Sequence, residues 1–253
     1  MIDPKNIIKN LPENEAQEYA DLQLADQLKN MQKLVTGDFL NFVKYMWPEF
    51  IEGKHHRDIS QKFNDLSTGK INRLIVNMPP RHTKSEFASY FLPAWMIGKN
   101  PNLKIIQATH TADLAIDFGR KTKNLVDDEK YHEMFDTRLQ EDSQAAGKWK
   151  TEQGGEYFAA GVGGAITGRG ADLLIIDDPH KEQDLKGDGS AFDKAWNWYM
   201  SGPRQRLQPG GKIVLVMTRW STKDLTGKLI QEMANEDGDE WDIVELPAIL
   251  PND

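Results

Sequence analysis

Short apolar runs punctuate an otherwise polar chain. Arg73–Asn77 (RLIVN), Leu103–Thr109 (LKIIQAT), Asp172–Asp178 (DLLIIDD) and Lys212–Thr218 (KIVLVMT) have the continuous, β-branched character of strands buried on both faces. Tyr157–Gly161 and Asp242–Leu246 read as further short strands. Between them the apolar residues recur at helical spacing. Glu86–Ile97 is one such stretch, with Phe87, Tyr90, Phe91, Ala94 and Ile97 on one face. Asp113–Val126, the aromatic-rich Ser190–Leu207, and Ser221–Met233 with Ser221 or Thr222 as its N-cap are the others. Strands alternating with helices predict an α/β fold with a mostly parallel central sheet flanked by helices.

Upstream of the first strand the chain is helical. Glu13–Thr36 is rich in strong helix formers and is stopped by Gly37. Leu22, Leu24, Leu28, Met31 and Leu34 predict an amphipathic face packed on the core. Phe39–Tyr45 and Asp58–Leu66 are shorter helices, and residues 1–13 look irregular. The expected organisation is a helical lead or lid over residues 1–50 and an α/β core over 51–253.

Composition narrows the class. At 253 residues the chain can bury a substantial core. It has no cysteine, which excludes disulfides and thiolate metal sites and fits a reducing compartment. No apolar run approaches the length of a membrane span, and the N-terminus does not read as a signal peptide, so a cytoplasmic protein is expected. A net charge of −8 argues against a uniformly basic nucleic-acid coat. Local basic paths remain at Arg120, Lys121 and Lys123 and at Arg204, Arg206 and Lys212, where solvated surface is the commoner explanation.

The chemistry centres on Met78–Ser85 (MPPRHTKS), set between a strand and a helix. A phosphate-binding loop requires that context, because a helix start presents unpaired N–H groups and the positive end of its dipole. Lys84 would place a charge on the β- and γ-phosphates, and the Ser85 hydroxyl could hold Mg²⁺. Met78 and Thr83 stand where the usual pattern has glycine, so the loop taken alone is equally readable as an ordinary turn. The second motif is the acidic end of DLLIIDD, delivered to the sheet edge where ligands bind in open α/β folds. Asp177 would organise Mg²⁺, and Asp178 could orient or deprotonate a water; Glu182 is the next candidate. Taken in this order, the two motifs favour a nucleotide-hydrolysing P-loop domain. With another strand–helix unit between them, the ordering fits the strand-inserted (ASCE) class of P-loop NTPases. His55 and His56, near Asp58, lack a third convergent ligand, and zinc is not expected. The glycine-dense run Gly163–Gly170 frames Arg169 just before the acidic strand, with a turn carrying an incidental charge as the alternative.

MPPRHTKSE, GVGGAITGRGADLLIIDDP, RQRLQPGG and IVLVMTRW together resemble the ATPase domain of tailed-phage terminase large subunits, from about His55 to Leu246. The resemblance implies Mg²⁺-dependent ATP hydrolysis that drives double-stranded DNA into a procapsid. Pro80, Arg81, His82, Thr83, Lys84 and Ser85 would form the nucleotide loop, with Arg81 sensing the γ-phosphate. Ser85 and Asp177 would hold the metal, Asp178 would be the catalytic carboxylate, and Thr218 would fall in the coupling motif. Arg169 would act across subunits, and His56 and Arg57 would lie on the adenine side. The implied partners are duplex DNA, a portal protein, a small terminase subunit and further copies in a homo-oligomeric ring, a pentamer, in the host cytoplasm. Thr83 replaces the glycine of most relatives and Asp178 the glutamate of many, which implies a slow ATPase; Thr83→Gly is expected to tighten ATP binding. The family's nuclease half has no counterpart in the sequence, so no DNA cutting is expected. A helicase-like translocase and a nucleotide-binding docking module with little turnover are the alternatives.

Overall fold

The computed structural model describes residues 13–248 apart from 167, 236 and 237. Of the irregular start expected at residues 1–13, residues 1–12 lie outside the described residues, as do 249–253, and Glu13 already opens a helix. In chain order the main elements are α1 (Glu13–Gly37), α2 (Phe39–Met46), α3 (Lys54–Ser67) and β1 (Arg73–Asn77). A π-helical turn, Glu86–Phe91, then runs into α4 (Leu92–Lys99), followed by β2 (Lys104–Thr109), α5 (Ala112–Val126) and α6 (Glu129–His132). Next come β3 (Leu139–Ala145), β4 (Lys148–Thr151), β5 (Glu156–Gly161) and β6 (Ala171–Asp177). The described chain closes with α7 (Ser190–Ser201), β7 (Leu207–Met217), α8 (Leu225–Glu232) and β8 (Asp242–Glu245).

The strands form one eight-stranded sheet in the order β3-β4-β5-β2-β6-β7-β1-β8. All pairings from β5 to β8 are parallel, while β3–β4 and β4–β5 are antiparallel. The position of β7 defines the class. It pairs with β1 on one side, Asn77 opposite Met217, and with β6 on the other, Asp177 opposite Val216. The strand before the phosphate loop and the strand bearing the acids are therefore separated by one inserted strand, as in the strand-inserted class of P-loop NTPases.

Alternate residues of the central strands feed two cores, as a period of two requires. Leu74, Val76, Leu173, Ile175, Val214 and Val216 face a cluster with Phe39, Phe42, Phe63, Phe87 and Trp95, which brings in α2, α3 and the loop helix. Ile75, Leu174, Ile176, Ile213 and Leu215 face the other, with Trp198, Tyr199, Leu225 and Leu229 of α7 and α8. Both motif strands are thus clamped from two sides, and their C-terminal ends are held rigidly at one edge.

Several boundaries differ from the sequence expectation. The α1 leucines expected on the core, Leu22, Leu24, Leu28 and Leu34, are exposed. Among the residues of α1 whose side chains are described, the last turns dock, through Met31, Val35 and a bond from the Trp95 indole N–H to the Thr36 carbonyl (3.1 Å). The β3–β4 hairpin has no counterpart in that expectation, because LQEDSQA carries none of the apolar signal of an inner strand. Ser190–Leu207 is not one helix: α7 ends at Ser201, Pro203–Arg206 forms a 3₁₀ turn, and Leu207 already belongs to β7. The last long helix begins at Leu225, with Asp224 as its cap in place of Ser221 or Thr222.

Candidate nucleotide site

Residues 78–85 leave β1 and enter the π-helical turn, as the motif requires. Arg81 and Thr83 both have φ of 63°, in the left-handed region. That conformation costs a non-glycine residue about 1–2 kcal/mol. Thr83 therefore already has the backbone shape that glycine would adopt without strain. The His82 ring closes the turn by donating from Nδ1 to the Pro80 carbonyl (2.8 Å). Arg81 is exposed and makes no ion pair among the described residues.

Lys84 is buried, and its Nζ lies 2.5 Å from Asp178 Oδ2. The loop lysine and the acidic strand end thus meet directly. Asp178 has φ of 41°, and its Oδ1 accepts the Thr218 N–H (2.9 Å). The Thr218 hydroxyl in turn reaches the Met78 carbonyl (3.4 Å). Lys84, Asp178 and Thr218 form one polar bridge from the loop through the acidic strand to the end of β7.

Asp177 is almost wholly buried. Its Oδ2 accepts the Ser89 hydroxyl (2.7 Å), and Ser89 Oγ accepts from the Gln107 side-chain amide (2.9 Å). Burial pushes its carboxyl up to about 6, with the charge of Asp178 adding, while Ser89, Lys84 and Ser85 oppose the rise. Asp177 Oδ1 is buried and has no hydrogen-bond partner among the described residues. A buried carboxylate oxygen with no donor is costly unless a cation completes it. Ser85, whose hydroxyl helps hold Asp177 ionised, stands on the same side. Ser85 and Asp177 therefore fit Mg²⁺, which takes one or two protein ligands and completes its shell with phosphate oxygens and water. No cluster of three His, Cys, Asp or Glu able to hold a metal occurs among the described residues.

His56 and Arg57 do not meet the adenine-side expectation. The His56 ring is buried between Phe50 (centroids 4.7 Å apart) and Phe87 (5.0 Å), and its Nε2 lies 2.6 Å from Thr83 Oγ1. Burial, then the neighbouring His55, lowers its pKa to about 4. Arg57 is exposed and pairs with Glu52. A cavity of about 450 Å³ lies instead beside the loop at the ends of β1, β7 and β8, lined among others by Met78, Pro79, Arg219 and Leu246.

Arg169 is also elsewhere. The glycine-rich segment runs from the C-terminal end of β5 back to the start of β6, so its last residues lie at the sheet edge opposite Asp177. There the guanidinium pairs with Glu156, at the start of β5, and stacks 4.0 Å over the Phe158 ring. The neighbouring acid Asp172 is engaged separately, accepting the Lys104 N–H. Glu182 is exposed in a separate 3₁₀ turn. Of the basic paths, Arg120 is paired with Asp117 and Arg204 with Asp239.

Sequence reasoning missed Ser89, Gln107 and His180. The last accepts the Leu225 N–H at Nε2 (2.9 Å), tying the residues after Asp178 to the first turn of α8. A small polar residue recurring on an otherwise apolar helix face was the only available signal for Ser89.

No helix among the described residues is long and apolar enough to cross a membrane. No family model and no curated protein matches the sequence. Among solved structures, the large terminase of bacteriophage HK97 matches with a TM-score of 0.52 at 14% identity, over 81% of this chain and 40% of that protein. The large terminase of a thermophilic bacteriophage, solved in complex with ADP, matches with a TM-score of 0.43 at 11% identity, over 74% and 44%. The chain spans less than half the length of either protein. Together with the inserted strand β7, the HK97 likeness is one of architecture: over the matched residues this chain shares the α/β fold of that protein.

Proposed function

We propose that this chain is a Mg²⁺-dependent ATPase domain of a terminase-type motor, coupling ATP hydrolysis to movement of double-stranded DNA into a procapsid. The observation that carries the enzymatic part is the meeting of Lys84 with Asp178 (2.5 Å), beside buried Asp177 and Ser85. Loop amides and Lys84 would cradle the β- and γ-phosphates, and Ser85 and Asp177 would hold the metal. When bound, the ion would neutralise charge building on the phosphate oxygens. Asp178 would take the role of orienting the attacking water once Lys84 turns to the phosphates. Exposed Arg81 has the reach to follow the γ-phosphate. Thr218, whose N–H holds Asp178, would carry the change at the nucleotide to the end of β7. The cavity beside Met78 and Pro79 would take the base.

The motor part rests on the fold and on the sequence resemblance. Duplex DNA, a portal protein, a small terminase subunit and a ring of copies are proposed partners on that ground. Phosphate release with and without duplex DNA, for the parent and for Lys84→Ala, tests the reading. Turnover that depends on Mg²⁺ and Lys84 and rises with DNA is the expected result. ATP binding without phosphate release would favour the docking-module reading, for which the observation is that the short Asp178 side chain is already engaged by Lys84 and Thr218.

A further inference from the structure

The Thr83 position raises a problem that its surroundings answer. A β-branched residue at φ 63° in a phosphate loop is strained, and the loop around it is largely exposed. Strained backbone persists where neighbouring structure over-determines it. Here the neighbour is His56. Its Nδ1 accepts the Gly53 N–H (2.8 Å), so that nitrogen carries the lone pair and the proton sits on Nε2. Nε2 then donates to Thr83 Oγ1 (2.6 Å), and the Thr83 hydroxyl donates to the His82 carbonyl (2.5 Å). Every donor in the chain has an acceptor, which requires the neutral ring. Phe50, just upstream of α3, and Phe87, on the π-helical turn after the loop, grip that ring, so the hydrogen-bond relay ties the loop to the packed core.

We propose that His56 is a positioning residue for the phosphate loop: through the Thr83 hydroxyl it holds the left-handed backbone that glycine would adopt unaided. Threonine at this position then works as one half of a latch between α3 and the loop, and His56 as the other. The consequence for nucleotide binding rests on the ATPase reading above, whereas the latch itself does not.

A double-mutant cycle tests it, read first on the nucleotide-free protein. His56→Ala is expected to speed amide hydrogen exchange across residues 79–86 about fivefold when Thr83 is present, and less than twofold in a Thr83→Gly background. ADP affinity measured by calorimetry should follow the same pattern, a loss of about fivefold with Thr83 and little with glycine, matching the relief of about 1 kcal/mol of strain. Thr83→Val keeps the branched shape without the hydroxyl and should resemble His56→Ala. Thr83→Ser should resemble the parent. Equal effects of His56→Ala in both backgrounds, or a Thr83→Val loop as protected as the parent's, overturn the latch. Because Thr83→Val changes a half-buried loop residue and leaves the core intact, misfolding of His56→Ala would not shelter the idea. A parent that binds no ADP while its exchange cycle is coupled removes the nucleotide reading and leaves the latch standing.

Discussion

Lys84 Nζ lies 2.5 Å from Asp178 Oδ2, so the loop lysine and the carboxylate proposed to handle water are in direct contact. The arriving phosphates would compete for Lys84 and release Asp178, linking occupancy of the loop to readiness of the acid. Asp178→Asn should keep ADP and ATP binding within a few-fold and lower phosphate release about 10²–10⁴-fold, the usual worth of a positioned general base. Lys84→Ala should abolish turnover and weaken binding, since it removes charge at the β/γ-phosphates. Parent-like turnover by Asp178→Asn would show that another group positions the water; Glu182, exposed on its own turn, is poorly sited for it.

Asp177 is buried with one oxygen unsatisfied, and burial is the first cause of its raised pKa. An ionised carboxylate there destabilises the metal-free fold. Asp177→Asn should therefore raise the melting temperature of the metal-free protein at pH 8, by about 1–3 kcal/mol in stability. The same change should erase the extra stabilisation that Mg²⁺ adds to ADP. Thermal melts with ADP alone and with Mg²⁺ and ADP separate the two effects. An unchanged Mg²⁺ increment in Asp177→Asn would take this residue out of the metal shell.

What was legible in the sequence follows from where each signal is stored. RLIVN and DLLIIDD were readable because a strand buried on both faces must be apolar at successive positions, and their ends then mark the ligand edge. The inserted strand was not readable from motif order: it is β7, which follows both motif strands in the chain, whereas β2, the unit between them, pairs on the far side of β6. The β3–β4 hairpin was not, since a polar edge such as LQEDSQA need satisfy only one neighbour. The Ser89–Asp177 bond joins residues 88 apart, and no local pattern encodes such a contact. Leu22, Leu24 and Leu28 show the converse: helical periodicity reports an apolar face without saying whether anything covers it. The start of α8 shifted because Asp224 accepts the N–H groups of Trp220, Ser221 and Gly227, a capping arrangement that Ser221 cannot match.

His56 sets a pH dependence. Its folded pKa is lowered from 6.5 to about 4 by burial, with His55 and His82 adding to the shift and Glu52 opposing it. In the window between those values the unfolded chain binds a proton that the folded ring refuses. Stability from this group is thus complete above pH 6.5 and declines as pH falls toward 4. The loss should reach at most about 3 kcal/mol. Urea melts at pH 7 and pH 5 should show it, and His56→Gln should flatten the difference between them. An equal slope in His56→Gln would mean that other groups, such as buried His180, carry the acid sensitivity.

Arg169 separates two accounts of the glycine-rich loop. In the resemblance it would serve a neighbouring subunit's nucleotide, and that requires it to project from the ligand edge. In this fold it is tied to the other edge by Glu156 and Phe158, next to Ala171 at the start of β6. Six strand steps separate Ala171 from Asp177, about 20 Å at roughly 3.3 Å per residue. A partly buried ion pair with a cation–π contact contributes about 1–2 kcal/mol. Arg169→Ala should accordingly lower the melting temperature by several degrees and leave the ATPase of the folded protein within twofold of the parent. The trans account predicts the reverse. Arg169→Ala and Lys84→Ala would each be inactive in an assembled ring, and mixing them would restore part of the activity, since one interface in the mixture joins an intact loop to an intact arginine. Rescue on mixing, with a melting temperature equal to the parent's, would return Arg169 to the active site of a neighbour. Full activity of Arg169→Ala in the assembled motor, with a lowered melting temperature, assigns it to holding β5 and β6 together.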